Sequence, residues 1–438
     1  MGNGRRLSVR SWLSLGAVGS AVFTMAACGT APEAPTPKAP VATAPAAPAA
    51  PKAPADPVPS LVVVQAQFGK VDGRPAPMPA RLALLRLHDG EFFEESFEDP
   101  DANVFHKAIP WAGGILTIGA ERAPKPGHVK HWTRGDDGSW TDTVVWERAW
   151  DGSKFNRMRD IEVGDVNGDG KDELVVATHD RGVVAVGTGE GTSFEFVELH
   201  EKGDTFVHEI EIGDLNGDGT KEFYSTPSDR NRSSGVSQPG AVYQYTWDGS
   251  AYTHRPVVEF EDSHAKEILV TDVNGDGKDE LYVVIEAHTV KGEDGKKQRV
   301  DPVRIVRYDE DGEGFKATTV SEIDDDQLRF LLAGDVDADG QVELVAASWK
   351  AGLFRLELQE DGTFKNMLID EESSGFEHAT HVADLDGDGK LEIYVAADDQ
   401  KAFRQYMWNG TSFDRKTIAD IGPSGRSFIT WNIQDGSF

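Results

Sequence analysis

Asp165–Val176, DVNGDGKDELVV, puts oxygen-bearing side chains at the first, third, fifth and ninth positions of a tight loop: Asp165, Asn167, Asp169 and Glu173. Four more copies follow: Asp214, Asn216, Asp218, Glu222; Asp272, Asn274, Asp276, Glu280; Asp335, Asp337, Asp339, Glu343; and Asp384, Asp386, Asp388, Glu392. A hard cation such as Ca²⁺ takes six to eight oxygens at about 2.3–2.6 Å, and odd positions of a curled loop face inward together. The backbone carbonyl at position seven, on Lys171, Thr220, Lys278, Gln341 or Lys390, adds a further ligand to each set. Position six is always glycine, which permits a turn that a side chain would obstruct. Asp, Asn and Gly also favour ordinary turns, but five copies of the same oxygen set, each running into an apolar strand, point to Ca²⁺ loops. They are not EF-hand loops, because position twelve is Val176 where that motif needs a bidentate Glu.

The first aspartates lie 49, 58, 63 and 49 residues apart, which predicts one repeat domain and not several globular ones. Each repeat reads as four short strands. In the first these are 160–164, then 173–178 after the loop, 182–187, and 193–200 after a glycine-rich turn. Alternating apolar residues and tight turns make that a four-stranded antiparallel meander, and repeated meanders suggest an all-β propeller. The loops and their spacing resemble the FG-GAP/VCBS repeat family, the cation-binding blades of integrin α-subunits and of many bacterial surface proteins. The resemblance runs from about Asn103 to Ile421 and implies calcium-binding blades.

Two stretches keep the strand order without the acidic loop. Asn103–Glu147 supplies a first blade. The chain ends supply the last, with 427–434 as its inner strand and 61–68, 81–87 and 91–97 as the other three. Six internal blades plus this clasp predict a seven-bladed β-propeller over residues 60–438, with no free sheet edge.

Residues 1–27 read as an export signal: Arg5, Arg6 and Arg10, then an apolar run too short for a membrane span. The only cysteine, Cys28, ends that run and excludes an internal disulfide framework. Thr24-Met25-Ala26-Ala27-Cys28 resembles a bacterial lipobox, which implies lipid on Cys28 and a chain held at the outer membrane or cell surface. Residues 28–59 form an Ala/Pro-rich linker that reaches roughly 90 Å at ~3.1 Å per residue. The formal charge of −31 argues against nucleic acid as a partner. Seventeen of the carboxylates occupy the first, third, fifth and ninth positions of the five loops, three in each of three loops and four in each of two.

Counting back six residues from each first aspartate gives Arg159, His208, Lys266, Arg329 and His378. The same alignment in the two degenerate blades, with Ala112 and Asn432 in the aspartate place, gives His106 and Arg426. In a propeller these positions ring the channel mouth opposite the cation loops, where cationic side chains focus potential and attract anions. Two long loops on that face add Arg230, Arg232, Lys291, Lys296, Lys297 and Arg299. The bland alternative pairs each ring base with a carboxylate such as Asp160, Glu209, Glu267 or Glu377. A third reading gathers His106, His208 and His378 on a transition metal.

No nucleophile elbow, phosphate loop, dinucleotide fingerprint or HExxH motif occurs. The leading expectation is therefore a monomeric, lipid-anchored, Ca²⁺-stabilised binding protein that takes an acidic glycan or protein at its basic mouth. The repeat type also resembles the scaffold of some polysaccharide lyases, which implies an alternative in which His208, Lys266 and Arg329 act on a uronate polymer. An envelope scaffold with an internally paired ring is the third possibility.

Overall fold

A computed structural model describes residues 57–438 apart from 201 and 311–313. The expected signal, lipidation site and most of the linker lie outside those residues. Among the described residues every sheet is antiparallel, and apart from one short 3₁₀ turn, Asp398–Gln400, the regular elements are all strands. The repeats fold into a β-propeller.

Four repeats form separate four-stranded sheets, in chain order Thr205–Phe260, Ala265–Ile323, Leu328–Asp370 and Thr380–Asp420. The chain ends meet as expected. Ser427–Ser437 pairs with Pro59–Val71, which pairs with Ala80–His88 and then Glu91–Asp99, with Val62 opposite Gln434. A short edge strand, Arg74–Pro77, makes this clasp sheet five-stranded.

Seven separate blades are not what the pairing gives. Among the described residues five blade sheets and one two-stranded hairpin, Thr289–Lys291 with Lys297–Arg299, stand alone, while the meanders Val104–Arg148 and Phe155–His200 are hydrogen-bonded into one eight-stranded sheet. The link is the end of Gly114–Arg122, where Ala120, Glu121 and Arg122 pair with Arg157, Asn156 and Phe155. In place of an acidic loop the Val104–Arg148 meander has the two-residue turn Ala112-Gly113, both at positive φ.

First strands touch in sequence around the axis: Ser427–Ser437, Val104–Trp111, Phe155–Gly164, Thr205–Gly213, Ala265–Thr271, Leu328–Gly334, Thr380–Ala383, and back to Ser427–Ser437. Second strands such as Glu173–His179 are buried along their whole length and fill the layers between sheets. The residue after each first aspartate, Val166, Leu215, Val273, Val336 or Leu385, is buried in a core layer shared by its own sheet and the following one. Val166, for example, lies with Val207, Ile210 and Phe223. Each acidic loop is thus a staple between two sheets.

Candidate functional site

The five loops share one backbone trap. The first aspartate accepts the position-six N–H at 2.7–3.0 Å, from Gly170, Gly219, Gly277, Gly340 or Gly389. Those glycines have φ of +84 to +91°, where a side chain is strained. The position-five aspartate accepts the position-seven N–H at 2.8–3.0 Å. The closing glutamate is buried in every loop. In four loops it accepts the N–H of the stapling residue: Val166, Val273, Val336 and Leu385.

These groups fit a divalent cation. In three loops the carboxylate oxygens already lie within 4.8 Å of one another: Asp272, Asp276, Glu280; Asp335, Asp337, Asp339, Glu343; and Asp384, Asp386, Asp388, Glu392. Oxygens about 2.4 Å from one ion are at most about 4.8 Å apart. Burial first, and acidic neighbours with it, pushes Glu173, Glu222 and Glu343 up to about 7. Glu222 Oε2 and Asp337 Oδ1 are buried and have no hydrogen-bond partner. Hydrogen-bond donors sit at the carboxylates: Asn167 Nδ2 donates to Glu173 at 2.7 Å, Asn216 Nδ2 to Glu222 at 3.2 Å, and Arg355 pairs with Asp337.

On the opposite side, the structure brings four of the seven ring residues together. His106, Arg159, Lys266 and Arg329 line a cavity of about 30 Å³ with Lys107, Asp160, Glu209, Glu267, Glu377 and Trp431. The carboxylate partners stand off. Arg159 is 3.7 Å from Glu377, and Glu286 lies 3.6 Å from Lys266 Nζ and 3.3 Å from Arg329 Nε. Burial lowers Lys266 to about 8, although Glu286 opposes that shift.

The other three ring residues are held elsewhere. His208 Nδ1 is 3.2 Å from His179 Nε2. His378 is fully buried between Ser373 Oγ at 2.8 Å and the Ser348 carbonyl at 2.7 Å. Arg426 is tied to Glu98 at 2.6 Å and Gln67 at 2.7 Å. Among the described residues His106, His208 and His378 form no metal-ligand cluster. The expected local pairing takes a different route: Asp160 lies 2.9 Å from Lys107, and Glu286 serves both Lys266 and Arg329. The long-loop bases are largely paired too, Arg230 with Asp180 and Asp204, Lys297 and Arg299 with Asp326.

Residues one place beyond the ring knit neighbouring sheets. Asp160 accepts the Ile210 N–H at 2.7 Å, and Glu267 accepts that of Leu331 at 2.8 Å. Burial holds Glu267 up to about 8 against an ordinary 4.5. Between those values the folded chain keeps a proton that the unfolded chain has lost, so stability falls as pH rises through that window. Glu267→Gln keeps an acceptor for Leu331 and removes the titration. It is expected to exceed the parent in urea denaturation at pH 8.5 by roughly 2–4 kcal/mol and to match it near pH 5; equal stability at pH 8.5 would contradict the assignment.

Sequence reasoning missed His179, His264 and Glu286. His264 Nε2 is 2.8 Å from Glu286 Oε2, and both residues are buried. Glu286 is pulled below the usual carboxylate range against its own burial by Lys266, Arg329 and His264. A signal existed: counting six forward from each closing glutamate gives His179, Ser228, Glu286, Trp349 and Asp398, the ends of the second strands near this mouth.

Residues 165–225 and 335–395 match the FG-GAP-like repeat family, covering the first two and the last two acidic loops. No curated protein matches the chain. A solved protein from Lactobacillus plantarum is similar at TM-score 0.54 and 10% identity, over 86% of this chain and 99% of that one. A putative 6-phosphogluconolactonase from Bacteroides fragilis aligns at TM-score 0.52 and 13% identity, over 88% of this chain and 99% of its own. One from Bacteroides uniformis gives 0.52 and 9%, over 87% and 100%. At these identities the likeness is one of fold.

Proposed function

We propose, on the footing that this chain is a β-propeller carrying FG-GAP-like repeats, that it is a Ca²⁺-braced binding module whose channel mouth takes an acidic ligand. We read the eight-stranded sheet as two joined blades, which makes the ring sevenfold. Ca²⁺ is held by the aspartates, asparagines and glutamates of the five loops. It braces each loop against the following sheet and takes no part in ligand capture on the far side. The chain is exported, lipid-anchored through Cys28 at the outer membrane or cell surface, and monomeric. Its partner is an acidic glycan or an acidic protein patch, and its negative total charge disfavours nucleic acid.

One observation carries this reading. Arg159, Lys266 and Arg329 reach a single entrance from three sheets, and their carboxylates stay 3.3–3.7 Å away. Such pairs exchange an internal partner for a ligand's carboxylate at small cost. His106 stands beside them, while His208, His378 and Arg426 hold the surrounding rim in shape. Screening against an acidic glycan array, followed by calorimetry on the best binder, tests the proposal. Arg159→Gln is expected to weaken binding by about tenfold or more, the scale of one charge-assisted hydrogen bond. Unchanged affinity with an altered melting temperature would favour the scaffold role instead.

A second reading is enzymatic, and the lowered Lys266 beside the His264–Glu286 pair favours it. A base near neutral pKa suits proton abstraction next to a uronate carboxylate. New ultraviolet absorbance on incubation with uronate polymers would support that reading, and binding without turnover would oppose it. The names of the lactonase-like neighbours rest on fold alone and assign no substrate here.

A further inference from the structure

Two of the acidic loops are tied directly to each other. Asp279, at position eight of loop 272–280, accepts the Asp214 N–H through Oδ2 at 2.8 Å, and its own N–H donates to the Asp214 carbonyl at 3.3 Å. Asp214 is the first ligand position of loop 214–222, so both of its backbone groups are held by the neighbouring loop. Gly213 permits the approach, because a Cβ there would stand 2.7 Å from Asp279 Oδ2. Beside it the Lys278 stem lies against Gly217, whose missing Cβ would sit 2.9 Å from Cε and 3.0 Å from Cγ. Among the described residues no other two acidic loops are hydrogen-bonded to each other. Position eight of the other loops is Asp172, Lys221, Val342 or Leu391, and Leu391 packs over Gly334 as an apolar lid.

The tied loops differ in readiness for an ion. In 272–280 the carboxylates of Asp272, Asp276 and Glu280 already lie within 4.8 Å of one another, and Glu280 accepts the Val273 N–H at 2.9 Å. Among the described residues Asp214, Asp218 and Glu222 do not reach that spacing, and Glu222 Oε2 is buried without a partner. An ion in 272–280 would be held by the Lys278 carbonyl and the Glu280 side chain, on either side of Asp279. Filling that loop fixes Asp279, and Asp279 fixes Asp214. A ligand group that is already fixed costs less to order on binding, and such coupling acts equally in both directions.

We propose that loops 214–222 and 272–280 form a coupled pair of cation sites, with Asp279 as the residue that positions the first ligand of its neighbour. The pairing rests on the loops' binding Ca²⁺ and adds an order to it, the third loop filling ahead of the second and strengthening it. The other three loops bind independently of this pair.

The test is a Ca²⁺ titration of the chelated protein, deuterated and ¹⁵N-labelled, in which the amide signals of Gly170, Gly219, Gly277, Gly340 and Gly389 report their loops one by one. Asp276→Ala removes a ligand of the third loop and leaves Asp279 in place. It is expected to raise the Ca²⁺ concentration at which Gly219 responds by about fivefold or more, with Gly170 unmoved. Asp279→Leu, which copies Leu391, is expected to weaken the second loop by itself and to cut the further effect of Asp276→Ala to less than about twofold. Asp279→Asn keeps an acceptor for the Asp214 N–H and is expected to retain the coupling, which separates positioning from charge. A Gly219 response that Asp276→Ala leaves unchanged overturns the proposal, and coupling that survives Asp279→Leu overturns the part given to Asp279. If none of the five glycines responds to Ca²⁺, the Ca²⁺ reading of the loops fails and the pairing fails with it.

Discussion

Removing divalent ions is expected to lower the melting temperature by on the order of 15 °C, and adding Ca²⁺ back is expected to restore it. A ligand at a hundredfold excess over its Kd stabilises by about 2.7 kcal/mol, so five sites together supply about 13 kcal/mol. Divided by the unfolding entropy of a domain this size, that gives the stated shift. The structural basis is the staple. Each loop carries a buried apolar residue in the core layer shared by its own sheet and the next. Without an ion, buried glutamates such as Glu173, Glu222 and Glu343 are crowded by aspartates and are raised to about 7. Scanning calorimetry in chelator and in excess Ca²⁺ checks this. A chelated protein that melts where the loaded one does would show that the loops hold themselves.

Glu286→Gln is the second large effect, with an expected loss of about 3–5 kcal/mol at pH 7, the scale of removing one partner from a buried ion pair. The glutamine has nearly the same shape, so the loss is electrostatic. Lys266 and Arg329 would face each other without their shared carboxylate, and His264 would lose its 2.8 Å partner. The sign of the pH dependence follows from Lys266, whose folded pKa of about 8 lies below its ordinary 10.5. The unfolded chain therefore binds more protons between those values, and stability rises with pH across them. In the variant the unmatched ammonium is discharged at still lower pH, so its deficit is expected to shrink by pH 9. Urea denaturation at pH 6.5 and pH 9 reads both numbers. A deficit under about 1 kcal/mol at pH 6.5 would mean that Glu286 is not the hub of this cluster.

The acidic loops were legible because a hard ion needs oxygens at fixed spacings, and the chain repeats that spacing five times. The clasp was legible because strands at both ends keep the apolar alternation of a blade. Pairing between Ala120–Arg122 and Phe155–Arg157 was not, since edge hydrogen bonding between meanders leaves no composition signal. At the mouth, a fixed offset found Arg159, Lys266 and Arg329 but said nothing of direction. His378 turns to two serine-residue oxygens, and Arg426 to Glu98 and Gln67. Glu286 escaped because its repeat equivalents are mixed, a carboxylate at Asp398 but His179, Ser228 and Trp349 at the others, so the offset shows no common chemistry. The staple also went unread: Val166 and its equivalents look like ordinary strand continuations until the next sheet is seen packing on them.

The most direct measurement is the number of Ca²⁺ ions bound per chain, by calorimetric titration of chelated protein followed by location in calcium-loaded crystals. About five ions, each ringed by the first, third, fifth and ninth residues of an acidic loop, are predicted. A chain that binds none, or binds them away from those loops, would contradict the bracing of one sheet to the next by metal.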